Sequence, residues 1–166
     1  MVFLATLLYI LITFYNNTVF LMCNKINEEK NNGLLENEIA VVIVHNVGNI
    51  INVVDLKRKF PEILIIEDNC EGFTGKYDDL YSGTKSDYSS ISFFANKIVT
   101  SGEGGLVVFT DKKHLEYAKS FYSNGNTSER YVHDKFGMNY RFTNIQAALL
   151  FSQLEILDSI IEKKQE

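Results

Sequence analysis

The chain is short of cysteine, proline and positive charge. Its two cysteines, Cys23 and Cys70, lie far apart in 166 residues without a Cys-x-x-Cys spacing, which argues against a zinc site and against a disulfide framework. The single proline leaves no proline-rich linker. Sixteen Lys and Arg against 21 Asp and Glu give a net charge of -5 without a basic cluster among the aromatic residues. We therefore expect no metal, no nucleic-acid partner and a location in the reducing cytoplasm.

The apolar opening of the chain, residues 1–15, is too short for a membrane span. It has no basic segment before it and no small-residue cleavage site, and Asn16, Asn17 and Thr18 end it. Two interpretations remain from hydropathy alone: a signal or anchor, or a buried helix and strand inside a larger domain. The second agrees with the motifs described below, so we expect no membrane partner.

The middle of the chain alternates between strand-like and helix-like segments. Residues 41–45 are β-branched, residues 51–60 have helical spacing, and residues 62–68 are again apolar. This order predicts a β-α-β unit with parallel strands. Two more strand-like runs follow at 89–94 and 105–109. With 46% apolar residues, the chain has enough material for one α/β domain with a core.

The last third of the chain predicts helices. Thr110 and Asp111 can cap a helix over 112–123, which Gly125 helps to end. Residues 141–164 have the pattern of one long amphipathic helix that begins with a capping box. By contrast, residues 24–38 are strongly polar and are predicted to be a connection.

Two charged residues stand where strands give way to loops. Strand alternation directs one of Glu67 and Asp68 toward the carboxyl edge of the sheet, and Asp68 is the candidate. Lys97 lies between a strand and the turn GEGG, where partial burial favours a neutral, nucleophilic amine of the kind that forms Schiff bases. The alternatives are a solvated loop acid and a surface lysine. GEGG lacks the spacing of a P-loop, which excludes an NTPase.

Three motifs in fixed order carry a family resemblance. They are IEDNCEGFTGKY, SISFFANKIVTSGEGGLVVF and FGMNYRFTNIQAALLFSQLEILD. Together they resemble the DegT/DnrJ/EryC1/StrS family of pyridoxal-phosphate-dependent sugar aminotransferases, from about residue 3 to residue 164. The resemblance implies that residues 1–164 are part of a large pyridoxal-phosphate-binding domain. This domain has the α/β, aspartate-aminotransferase-like (fold type I) architecture, with a mostly parallel sheet and flanking helices.

The resemblance also implies roles for single residues. Asp68 matches the aspartate that pairs with the pyridinium nitrogen, and Lys97 matches the lysine that forms the Schiff base and moves the proton. Ser92 matches a hydroxyl that binds the cofactor phosphate. Asn139 matches an asparagine that reaches the phosphate in the neighbouring subunit, which implies a homodimer with shared sites.

Two further positions are assigned in the same way. Phe3 stands where relatives stack an aromatic ring on the cofactor, although core packing is an equal alternative. Glu71 stands where many relatives carry Gln or His against the cofactor. Glutamate there is similar to members that aminate a GDP-linked 4-keto sugar, although a solvated loop acid is the alternative. The related dehydratases carry histidine in place of Lys97.

The expected activity is transamination of a nucleotide-linked 4-keto sugar, with glutamate as the amino donor, in amino-sugar or polysaccharide biosynthesis. Relatives carry a Ser-Gly-Thr phosphate-binding element before the matched region and a small domain after it, and we expect both to be absent from this chain. The alternative is therefore a catalytically inactive fragment, or a partner subunit that pairs with a full-length homologue.

Overall fold

The computed structural model describes residues 7–12 and 18–166, with side chains described from Val19 onward. The chain divides into two compact units. The sheet unit runs as far as Ser92 and also takes in Gly105–Thr110. The helical unit consists of Phe93–Gly104 and Asp111–Glu166.

The sheet unit is built on a five-stranded sheet and carries a small hairpin. The strands in chain order are β1 (Leu7–Ile12), β2 (Ile39–Val44), β3 (Leu64–Asp68), the hairpin strands β4 (Lys76–Tyr77) and β5 (Leu80–Tyr81), β6 (Tyr88–Ser92) and β7 (Gly105–Phe109). The sheet has the order β1-β2-β3-β6-β7. Strands β1, β2, β3 and β6 run parallel to one another, and β7 runs antiparallel to β6. The expected mostly parallel α/β sheet is confirmed.

The predicted β-α-β unit is present. Helix α2 (Val53–Lys59) connects β2 to β3, which pair in parallel. The helix begins where the Asn52 side chain accepts a hydrogen bond from the Asp55 amide at 3.1 Å, as expected of an N-cap asparagine. The core lies between one face of the sheet and the helices, where Ile43, Leu56 and Ile65 are fully buried.

The polar segment 24–38 is largely helical, so the predicted connection is wrong over its first half. Helix α1 (Thr18–Asn31) buries Met22 and Ile26, one turn apart, in the core of the sheet unit. The intervening charges are satisfied on the helix surface, where Lys25 Nζ lies 3.0 Å from a carboxylate oxygen of Glu28. Burial of a narrow apolar stripe therefore stabilises a helix here despite the polar composition of the segment. Before this helix, the described part of the apolar opening is strand β1.

The helical unit contains α3 (Lys112–Tyr122), α4 (Asn144–Leu154) and α5 (Leu157–Gln165). The Asp111 side chain caps α3 by accepting from the Lys113 amide at 2.9 Å. The capping box of Thr143 and Gln146 begins α4, as predicted. The single long helix predicted over 141–164 is wrong, because Ile156 leaves helical geometry with a φ of -118° and a ψ of 22°. No helix in the part of the chain that the structure describes is long and apolar enough to cross a membrane.

Candidate active site

Strand β3 ends in two carboxylates that point to opposite faces of the sheet. Side chains alternate along a strand, and burial follows this alternation: Glu67 is only 1% exposed, whereas Asp68 is half-buried. Asp68 is therefore the carboxylate that remains accessible at the carboxyl edge. This is the edge where open α/β sheets bind ligands.

Two serines share the face of Asp68. Asp68 is paired with Ser90 in the parallel ladder between β3 and β6, so their side chains lie side by side on one face. Ser92, two residues further along β6, lies on this face as well and is half-buried. The structure thus brings two of the predicted residues, Asp68 and Ser92, to one face of the sheet edge. Ser90 was not among the predicted residues, although the two-residue spacing from Ser92 indicates its position.

The turn after β3 holds the Asp68 side chain. Asp68 Oδ1 accepts a hydrogen bond from the Cys70 amide at 3.2 Å, and the Asp68 carbonyl accepts one from the His45 amide at 3.1 Å. The Asn69 amide donates to the Ser90 carbonyl at 2.9 Å. These bonds join the ends of three neighbouring strands around the candidate carboxylate.

Glu71 lies on the same turn and contacts the loop after β2. Its Oε2 accepts a hydrogen bond from the Val47 amide at 2.8 Å. Val47 has a positive φ of 54°, which is rare for a β-branched residue. The following Gly48 also has a positive φ, of 74°. Glu71 is thus exposed but engaged with protein backbone, a contact that its position in the sequence did not reveal.

A buried, hydrogen-bonded pair, His45 and Glu67, lies on the face of β3 opposite to Asp68. His45 Nε2 and Glu67 Oε2 are 2.7 Å apart, and the Gly83 amide donates to the same oxygen at 2.8 Å. The Ile51 amide donates to His45 Nδ1 at 3.4 Å, which assigns the ring proton to Nε2. Burial raises the pKa of Glu67, but the hydrogen bonds from His45 and Gly83, together with the nearby Ser86 hydroxyl, outweigh it and hold the pKa below its ordinary value of 4.5. Glu67 is therefore an ionised structural carboxylate.

Lys97 lies in the helical unit, on the loop Phe93–Gly104, and its side chain is half-buried. Its amide donates to the Phe94 carbonyl at 3.0 Å, and the Ser101 amide donates to the Phe93 carbonyl at 3.0 Å. The Gln153 side chain of α4 bonds both backbone groups of Thr100, at 3.0 and 2.6 Å. The loop is therefore held by α4 rather than only by its own turns.

The glycine-rich turn after Lys97 requires its glycines. Gly102 and Gly104 have φ values of 81° and 136°, a region open to glycine but strained for other residues. A Cβ at Gly104 would lie 2.4 Å from the Phe142 ring. GEGG is thus a turn in which Gly104 packs closely against Phe142.

Asn139 is exposed and lies in the helical unit, where it forms an isolated bridge with Ser123. The neighbouring Met138 carbonyl accepts from the Asn124 amide at 3.0 Å, so the segment is fixed in place. Phe3 lies outside the described residues. No group of three or more His, Cys, Asp or Glu side chains within 7–12 and 18–166 is arranged to hold a metal.

The mostly parallel sheet with its flanking helices defines the class of protein, an α/β domain of the pyridoxal-phosphate-dependent aminotransferase architecture. Residues 15–166 match the model of the DegT/DnrJ/EryC1/StrS aminotransferase family. The chain belongs to this family.

Curated relatives and solved structures agree with the family. The chain is 42% identical over 131 residues to GDP-perosamine synthase of Escherichia coli O157:H7, a match that covers 76% of this chain and 36% of that enzyme. It is 36% identical over 130 residues to GDP-perosamine synthase of Vibrio cholerae, with 76% and 35% covered. The solved structure of Helicobacter pylori PseC, an aminotransferase involved in the biosynthesis of pseudoaminic acid, matches with a TM-score of 0.67 and 28% identity, covering 77% of this chain and 36% of PseC. The chain thus spans about a third of the length of the curated relatives it matches.

Proposed function

We propose that this chain carries the pyridoxal phosphate site of a nucleotide-sugar aminotransferase, the substrate being a nucleotide-linked 4-keto sugar. The observation that carries the proposal is the accessible Asp68 at the carboxyl edge of the sheet, beside Ser90 and Ser92 on the same face. The family supplies the reaction class. Two relatives named GDP-perosamine synthase supply the substrate class, a GDP-linked sugar.

The donor set suits pyridoxal phosphate. A carboxylate such as Asp68 keeps a pyridinium nitrogen protonated, a serine hydroxyl such as Ser92 donates to a phosphate, and a primary amine such as Lys97 reacts with an aldehyde. The cofactor supplies a carbonyl that takes up the amino group and a ring that accepts electrons. Asp68 and Ser92 are half-buried, which limits competition from water for both contacts.

Lys97 is the proposed acid and base. Its amine would hold the cofactor covalently, and as a free amine it would accept and return a proton during the transfer of the amino group. The hydrogen bonds of its loop to α4 fix the backbone from which the amine acts. Glutamate is the proposed donor, Phe3 is proposed to stack on the cofactor, and Glu71 is proposed to lie near the cofactor on the turn that holds Asp68.

A homodimer, or a pair with a homologous chain, completes the proposal. Helix α4 exposes large apolar side chains, with Ile145 77%, Leu149 52% and Phe151 63% exposed. Such exposure on one helix is typical of an interaction surface. Asn139 is exposed in the same unit, as a residue that reaches a neighbouring subunit must be. We also propose a cytoplasmic location, where nucleotide sugars are made.

The test is reductive trapping of pyridoxal phosphate on the purified chain. We expect an absorbance band that borohydride removes and a phosphopyridoxyl group on Lys97 in the peptide map. Lys97→Arg keeps the charge and abolishes the adduct, because guanidinium does not form this bond. Lys113→Arg is the matched control, since Lys113 is an exposed lysine paired with Asp111 at 3.2 Å.

The second step of the test adds glutamate and a GDP-linked 4-keto sugar and measures 2-oxoglutarate. Product that depends on Lys97 supports the aminotransferase. A folded chain that takes up no pyridoxal phosphate contradicts the proposal and favours the partner subunit without its own cofactor. An adduct without product favours a cofactor-binding fragment that requires a second chain.

A further inference from the structure

We propose that Glu71 is a positioning residue: its carboxylate straps the turn after β3 to the turn after β2 and thereby sets the orientation of Asp68. The inference rests on the proposed function for its importance in catalysis. Its geometry is independent of that function.

The strap joins two turns at the carboxyl edge of the sheet. Glu71 Oε2 accepts from the Val47 amide at 2.8 Å, across 24 residues of sequence. A Cβ placed on Gly48 would lie 3.7 Å from the Glu71 carbonyl oxygen, so the two backbones are in close approach. The turns are adjacent because β2 and β3 pair as far as Val44 and Asp68.

Something must hold Val47 in its conformation. A β-branched residue at a φ of 54° is strained, and its side chain is 83% exposed and gains no packing in return. A charge-assisted hydrogen bond from its amide is of the same order as that strain. The carboxylate of Glu71 supplies this bond. Glycine at position 47 would remove the strain and with it the need for the strap.

The strap acts on Asp68 through a short path. Asp68 Oδ1 accepts from the Cys70 amide at 3.2 Å, and Cys70 directly precedes Glu71. The Asp68 carbonyl is held from the other side by the His45 amide at 3.1 Å. Fixing Glu71 against Val47 therefore fixes the Cys70 amide that orients the Asp68 carboxylate. A strap that is released frees both the turn and the carboxylate.

Hydrogen exchange tests the strap between Glu71 and Val47 in the absence of any cofactor. In Glu71→Ala we expect the amides of Val47 and Cys70 to exchange about tenfold faster, the value of one charge-assisted hydrogen bond in a solvated site. Glu71→Gln keeps an acceptor oxygen and is expected to stay within about threefold of the wild type. Asn49→Ala is the control, an exposed side chain on the loop after β2. Unchanged exchange at Val47 or at Cys70 in Glu71→Ala overturns the proposal.

Cofactor affinity distinguishes positioning from direct contact. Glu71→Ala is expected to raise the dissociation constant of pyridoxal phosphate about tenfold, and Glu71→Gln to rescue it. Adding Val47→Gly to Glu71→Ala is expected to restore affinity to within about threefold, because the turn no longer requires a strap. If the double variant binds as weakly as Glu71→Ala, Glu71 contacts the cofactor itself and the proposal is wrong. If the wild-type chain binds no cofactor, the proposed function fails, and the exchange rates alone decide the strap.

Discussion

The buried pair of His45 and Glu67 offers the sharpest test of the sheet unit. Glu67→Gln keeps the shape of the side chain but removes its charge. Two charge-assisted hydrogen bonds, at 2.7 Å from His45 Nε2 and 2.8 Å from the Gly83 amide, become bonds between neutral groups. The difference between the two kinds of bond is about 1 kcal/mol each. We therefore expect the free energy of unfolding to fall by about 2 kcal/mol, and the melting temperature by about 4–8 °C for a chain of this size.

The assay is urea unfolding followed by circular dichroism at several pH values. The pKa of Glu67 in the folded protein lies below its ordinary value of 4.5. The stabilisation by the charge is therefore present above that value and is lost as the pH falls through the folded pKa. The difference in free energy of unfolding between wild type and Glu67→Gln should be full at pH 7 and should narrow as the pH falls below 4.5, the ordinary pKa of a glutamate.

Asp68→Asn is the matched control, one residue away on the opposite face of β3. Its carboxylate is half-buried and accepts from the adjacent turn at 3.2 Å, so we expect a loss below about 1 kcal/mol. Equal losses of free energy of unfolding in the two variants would refute the role assigned to the buried charge. So would a difference in stability between wild type and Glu67→Gln that does not change with pH.

Two further predictions concern local geometry. Gly83→Ala should lower the free energy of unfolding by about 2–4 kcal/mol, because Gly83 has a φ of 78° and a Cβ there would lie 2.6 Å from Ser89 Oγ. Gly33→Ala is the control: Gly33 has a φ of 101° and nothing within 4 Å of an added Cβ, so only the backbone strain should destabilise it. Equal losses of stability in the two variants would contradict the packing argument. Thr143→Ala should lower the free energy of unfolding by about 1 kcal/mol, measured by thermal unfolding, because it removes the capping box of α4. Thr143→Ser keeps the hydroxyl and should retain most of that stability. A serine variant as unstable as the alanine variant would exclude capping as the cause.

Local patterns predicted the parts of the fold that local physics determines. The β-branched run before α2, the apolar run after it and the caps at Asp111 and Thr143 follow from neighbouring residues. The break at Ile156 was missed because neither glycine nor proline marks it. The helix over 18–31 was missed because its buried stripe is narrow and its composition polar.

The candidate site was predicted only where a single strand or motif defines it. The accessible position of Asp68 at the end of β3 follows from strand alternation, whereas the roles of Ser92 and Lys97 were assigned from the family motif and stay predictions. The partners of Glu67 and Glu71 lie 22 and 24 residues away, so no local pattern indicates them. The positive φ of Val47 is equally hidden in the sequence, because β-branched residues rarely adopt it.

The adjacent carboxylates at the end of β3 make this strand intolerant of changes in length. Deleting or inserting one residue within Leu64–Ile66 would turn each later side chain of β3 to the opposite face of the sheet. Asp68 would then enter the core opposite His45, and Glu67 would turn to the accessible face. The chain would keep both acids and lose both of their roles. Variation in length along this part of the chain should therefore collect in the hairpin loop at 78–79, where an added residue shifts no side chain of the large sheet.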